Sequence, residues 1–128
     1  MLPQKKTAEH REEKRYPFRW PVAIVFDSHE DRPSFHGTTH EVSASGCSIL
    51  TEHNIFSEHP ISILLSSPAE HPGGSRRVIE IKARMVYTVL SSGHKKFRCG
   101  VQFVSFKQDG RTKLNRAIDN RALRYELG

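Results

Sequence analysis

Between residues 79 and 103 the chain alternates in a way few folds can absorb. Ile79, Ile81, Ala83 and Met85 occupy one parity, and Glu80, Lys82 and Arg84 the other. Successive strand side chains point to opposite faces, so this is a strand with one face in a core and one in water. After a turn at Ser91, Ser92 and Gly93 the pattern returns, with Phe97, Cys99, Val101 and Phe103 set against Arg98, Gly100 and Gln102. Two such strands joined by a short turn make a long antiparallel hairpin. The phase blurs at Val86, Tyr87, Thr88 and Val89, as happens at a bulge or where a strand bends round a barrel.

The rest of the chain supplies partners for that hairpin. Residues 20–26 are β-branched and aromatic and predict a strand, closed by loop residues 27–33. Residues 35–43 and 46–51 predict two more, joined at Ala44, Ser45 and Gly46, where glycine is expected to supply a positive φ. Residues 61–65 follow the break at Pro60, and the composition of 66–75 predicts a mobile loop. Asp109 is placed to cap a helix over about 110–126, in which Leu114, Ala117, Ile118, Ala122 and Tyr125 recur at helical spacing. The fold predicted is mainly β: a six-stranded antiparallel β-barrel whose open side is covered by a C-terminal α-helix. Residues 1–14 are polar and aperiodic and read as a flexible basic arm, leaving 15–128 as the barrel with its helix. Trp20 is expected to lie partly buried against the barrel.

With 128 residues the chain holds one modest core. Its longest apolar runs fall far short of the roughly 20 residues a membrane helix requires, so no membrane insertion is expected. The N-terminus goes straight into polar residues, unlike a signal peptide, which points to the cytoplasm. Cys47 and Cys99 each sit in an apolar strand, the setting of buried reduced thiols. The net charge of +6 is concentrated at the two ends: the first 19 residues carry six Lys or Arg against three Glu. Most of these are read as solvated surface, and the excess favours an anionic partner.

Catalytic chemistry has little to stand on. His36 and His40 are four apart on a strand, roughly 13 Å from each other, too far to chelate one ion. No serine has a nucleophile-elbow setting, and Gly73-Gly74 precedes a strand instead of opening a helix. Neither an enzyme nor a metal site is predicted. Arg84 and Arg98, on polar strand faces, are expected to be solvated.

The informative segment is Lys14-Arg15-Tyr16-Pro17-Phe18-Arg19-Trp20. Pro17 keeps it out of a helix, so Arg15 and Arg19 are presented from extended chain. Guanidinium groups bond phosphate oxygens and the O6/N7 edge of guanine, and stack on flat rings. A second element, Glu41-Val42-Ser43-Ala44-Ser45-Gly46, lies at the turn between the second and third strands.

An RxxxR before a first strand, followed by [D/N]xSxxG between the second and third, resembles the signature of PilZ domains. Cys99-Gly100-Val101-Gln102-Phe103 and the final helix are similar too, so the resemblance spans nearly everything after residue 14. It implies a six-stranded barrel that binds the bacterial second messenger cyclic di-GMP and acts in regulation of motility or biofilm. By resemblance, Arg15 and Arg19 clamp phosphates and guanine edges, and Glu41, Ser43 and Gly46 line the nucleotide. Lys14 adds a phosphate contact, the arm wraps the ligand, and an unidentified protein partner reads the changed surface. Glu41 stands where the family has Asp or Asn and is one methylene longer. The alternative is therefore a divergent PilZ-like adaptor in pilus or flagellar machinery that has lost the nucleotide. A small barrel binding nucleic acid fits the charge and aromatics and ranks below both.

Overall fold

The computed structural model describes residues 13–26, 34–93 and 95–127. Most of the expected arm (1–12), the loop 27–33 and the side chain of Tyr125 lie outside this range. Among the described residues six strands, β1 (Pro21–Phe26), β2 (Phe35–Val42), β3 (Gly46–Thr51), β4 (Ile61–Ser67), β5 (Arg77–Ser91) and β6 (Lys96–Phe106), precede one helix, α1 (Gly110–Leu127). The strands close into a barrel in the order β1-β2-β3-β6-β5-β4, every pairing antiparallel.

The interior is set by parity. Val22, Ile24 and Phe26 of β1, Ile61, Ile63 and Leu65 of β4, and Ile79, Ile81, Ala83 and Met85 of β5 all point inward and are buried. Ile24 pairs with Ile63, which pairs with Ile81, so one layer of branched side chains crosses three strands. Leu114, Ile118 and Ala122 of α1, spaced by four, join this core and cover the barrel as predicted. Full burial of one such leucine contributes about 2–3 kcal/mol. Asp109 precedes α1: its carbonyl accepts from the Lys113 N–H at 3.0 Å, and its carboxylate lies 3.4 Å from Lys113 Nζ.

The blurred phase of β5 has a definite cause. The register against β6 shifts between Lys82 and Ala83 and again between Met85 and Tyr87. Pairing with β4 ends at Ala83, beyond which β5 continues beside β6 alone, so Val86, Val89 and Leu90 stand exposed. Pro68 onward forms the predicted loop, tethered to α1 because Glu70 lies between Arg77 (3.7 Å) and Arg116 (3.3 Å).

Candidate functional site

The segment entering β1 is bound to β2 by an unusual set of contacts that follow from Pro17. Tyr16 exchanges two backbone hydrogen bonds with Val42, at 2.9 and 2.8 Å. Pro17, with its fixed φ, is the centre of a tight turn in which the Phe18 N–H donates back to the Tyr16 carbonyl at 2.8 Å, so the ladder does not continue. Thr39, fully buried, takes over with its side chain: Oγ1 accepts from the Trp20 N–H at 2.8 Å and donates to the Phe18 carbonyl. Tyr16, Phe18 and Trp20 therefore share one face and stack in sequence, ring centroids 5.1 Å apart in each pair. Trp20 is 3% exposed, buried outright where partial burial was expected. Arg15, Pro17 and Arg19 take the opposite, exposed face. Aromatics at every second position before β1 were the sequence signal for this arrangement.

The second element forms a tight turn. The Ser43 N–H donates to the Gly46 carbonyl at 2.9 Å, Ser43 Oγ donates to the same oxygen at 3.2 Å, and the Ser45 N–H reaches Ser43 Oγ at 3.4 Å. Gly46 is needed for a reason other than the expected positive φ, which it does not adopt. A Cβ there would lie 2.5 Å from the Val101 carbonyl oxygen of the neighbouring strand. Ser45 Oγ donates to Glu13 Oε1 at 2.6 Å, fixing the end of the entering segment to the turn.

These elements border a half-open cleft of about 250 Å³ on the outer face of the barrel. Arg15, Glu41, Ser43 and Gly46 line it, joined by Ser48, Tyr87 and Gln102, which sequence reasoning missed. Arg19 is not among the lining residues; its guanidinium donates to the His40 carbonyl. Lys14 borders an adjacent shallow groove with Tyr16, Ala44 and Ile118. One cross-strand row forms the floor: Glu41 pairs with Ser48, Ser48 with Gly100, and Gly100 with Tyr87. The Tyr87 ring lies across Gly100 so closely that a Cβ there would meet it at 2.2 Å.

The cleft offers cationic and neutral donors, one carboxylate and an aromatic wall, a set suited to an anionic ligand with a flat hydrogen-bonding ring. Cys47 also borders it, but burial pushes its thiol up to about 12, helped by the adjacent Cys99, so it stays protonated and non-nucleophilic at neutral pH. Both cysteines are free. Among the described residues no group of three or more His, Cys, Asp or Glu is placed to hold a metal ion, and no helix is long and apolar enough to cross a membrane. Arg84 is exposed as expected, whereas Arg98 Nε is shielded from solvent without a hydrogen-bond partner.

The PilZ domain family matches residues 9–120. The fold is similar to the inhibitor of motility MotI/DgrA of Bacillus subtilis, with a TM-score of 0.70 at 16% identity over 89% of this chain and 51% of that one. It is similar to MrkH of K. pneumonia, solved with c-di-GMP (TM-score 0.63, 11% identity, 91% of this chain and 53% of that). The PilZ domain of YcgR from Escherichia coli, also with c-di-GMP, aligns at a TM-score of 0.57 and 12% identity over 91% of this chain and 96% of that. The chain spans about half the length of MotI/DgrA and MrkH, and most of the isolated YcgR domain. Comparison with curated proteins gives no match.

Proposed function

The chain belongs to the PilZ domain family, and from that premise we propose that it is a non-enzymatic receptor for cyclic di-GMP, acting in the cytoplasm. The observation that carries this reading is convergence. Arg15 from the entering segment and Glu41, Ser43 and Gly46 from the β2–β3 turn border one cleft, and the Tyr16–Val42 bridge ties the two segments together. Cyclic di-GMP presents two phosphates and two guanines, the groups those side chains recognise.

In this reading Arg15 bonds phosphate or guanine from within the cleft. Arg19 spends one of its five N–H donors on the His40 carbonyl, which orients it and leaves the others for ligand at the rim. Lys14 adds charge from the adjoining groove. The Glu41 carboxylate accepts from the N1 and N2 hydrogens of guanine, Ser43 donates from the turn, and Gly46 lets the backbone come close. Binding of the nucleotide changes the surface offered to a partner protein in motility or biofilm control. That MrkH and YcgR were each solved with c-di-GMP supports the ligand class.

A second reading rests on Glu41. Its extra methylene adds about 1.5 Å where binding sites tolerate displacements near 0.5 Å. A chain that cannot seat the nucleotide for this reason is a protein-binding adaptor. Calorimetric titration with cyclic di-GMP separates the two. The receptor gives a saturable isotherm in the wild type that Arg15→Ala removes, and the adaptor gives tight binding only in Glu41→Asp.

A further inference from the structure

Ser48 holds a polar atom that the fold leaves unused. The residue is 8% exposed, and its Oγ is shielded from solvent without a hydrogen-bond partner. Unpaired buried hydroxyls are uncommon because each gives up its bonds to water for nothing in return. On β3, Cys47 and Ile49 point into the core, so Ser48 between them points outward, to the cleft it borders. Its partner across the β2–β3 ladder is Glu41, and on its other side is Gly100, roofed by the Tyr87 ring. Tyr87 is 38% exposed and belongs to the stretch of β5 that has passed beyond β4.

We propose that Ser48 is a second reader of the purine edge, working beside Glu41 and uncovered when the Tyr87 ring turns away from Gly100. The inference rests on the cyclic di-GMP reading above and deepens it by assigning a residue outside both sequence motifs. An ionised carboxylate only accepts, so Glu41 takes the N–H groups of guanine and opposes the N1 acceptor that adenine presents there. A hydroxyl donates and accepts, so Ser48 supplies the donor that guanine O6 requires beside them. Adenine's N6 amino group would meet the same hydroxyl as an acceptor, so Ser48 adds affinity at the purine edge while discrimination rests on Glu41. Glu41 and Ser48 lie opposite each other on neighbouring strands, within reach of one base edge. The same pairing explains how a glutamate serves at this position: a base seated toward β3 stands further from β2 and requires the longer side chain.

Ser48→Ala tests this with two readouts on the full chain. Cyclic di-GMP and cyclic di-AMP are titrated by calorimetry, and the melting temperature is measured without ligand. The expected result is roughly ten-fold weaker cyclic di-GMP binding, equivalent to ~1.4 kcal/mol, a preference over cyclic di-AMP that persists because Glu41 is intact, and an unliganded melting temperature equal to or above wild type. A merely structural serine would instead lower the unliganded melting temperature and leave cyclic di-GMP affinity alone. Wild-type affinity for cyclic di-GMP in Ser48→Ala overturns the assignment of Ser48 while leaving the receptor reading intact. Absence of cyclic di-GMP binding in the wild type overturns the receptor reading, and the Ser48 assignment with it.

Discussion

Thr39→Val replaces a hydroxyl by a methyl of nearly the same size at the point where the entering segment is fastened to the barrel. Thr39 is fully buried, so water cannot replace what its oxygen provides. Two backbone groups lose their partner: the Trp20 N–H, 2.8 Å from Oγ1, and the Phe18 carbonyl, to which Oγ1 donates. Leaving a buried group unpaired costs about 1–3 kcal/mol. Two of them, less a small gain from the extra apolar methyl, come to ~3 kcal/mol. With an unfolding entropy of about 2.1 cal/mol/K per residue, a domain of this size loses ~12 °C of melting temperature. Thr39→Ser keeps the oxygen and loses one methyl, costing about 1 kcal/mol, or ~4 °C. Differential scanning calorimetry of the three proteins measures both numbers. Ligand affinity should fall in Thr39→Val as well, since the fastening holds Arg15 and Arg19 in place. A Thr39→Val protein melting within ~3 °C of wild type, or a Thr39→Ser protein as damaged as Thr39→Val, would refute the fastening role.

Two further perturbations probe the frame around the cleft. Gly46→Ala puts a Cβ 2.5 Å from the Val101 carbonyl oxygen, backbone that cannot give way cheaply; a loss of about 1–3 kcal/mol in urea unfolding is expected, and an unchanged midpoint contradicts the close packing of β3 on β6. Cys47 gives a pH signature. Its thiol stays protonated in the fold up to about 12, while the unfolded chain releases the proton near the ordinary value of 9.0. The stability this contributes is complete below pH 9 and is lost as pH rises toward 12. The urea midpoint of the wild type should therefore fall more steeply between pH 8.5 and 10.5 than that of Cys47→Ala, and equal slopes would contradict the burial of that thiol.

Much of the barrel was legible because its strands are half-buried and alternate cleanly. The bounds of β3 agree with the expectation from residues 46–51, and the inward set Ile79, Ile81, Ala83 and Met85 is buried as its parity implied. The helix was legible from Leu114, Ile118 and Ala122 at four-residue spacing. The cleft was legible only in part. Arg15, Glu41, Ser43 and Gly46 were found by motif, but Ser48 and Tyr87 reach it through the register of β3, β6 and β5. That register depends on two shifts within β5, whose trace in the sequence was the blurred phase at residues 86–89. Gly46 was read as a turn glycine because Ala44 and Ser45 precede it, whereas the constraint comes from Val101, distant in sequence. Thr39 carried no signal at all, since its partners are main-chain atoms on another segment.

The central claim is that the arginine segment and the β2–β3 turn together form one nucleotide site. Titrating the wild-type chain and Arg15→Ala with cyclic di-GMP, each to tens of micromolar ligand, tests it most directly. A saturable isotherm in the wild type that disappears in Arg15→Ala, with both proteins folded to the same melting temperature, is the predicted result. No heat in the wild type, or binding that survives Arg15→Ala undiminished, would contradict it.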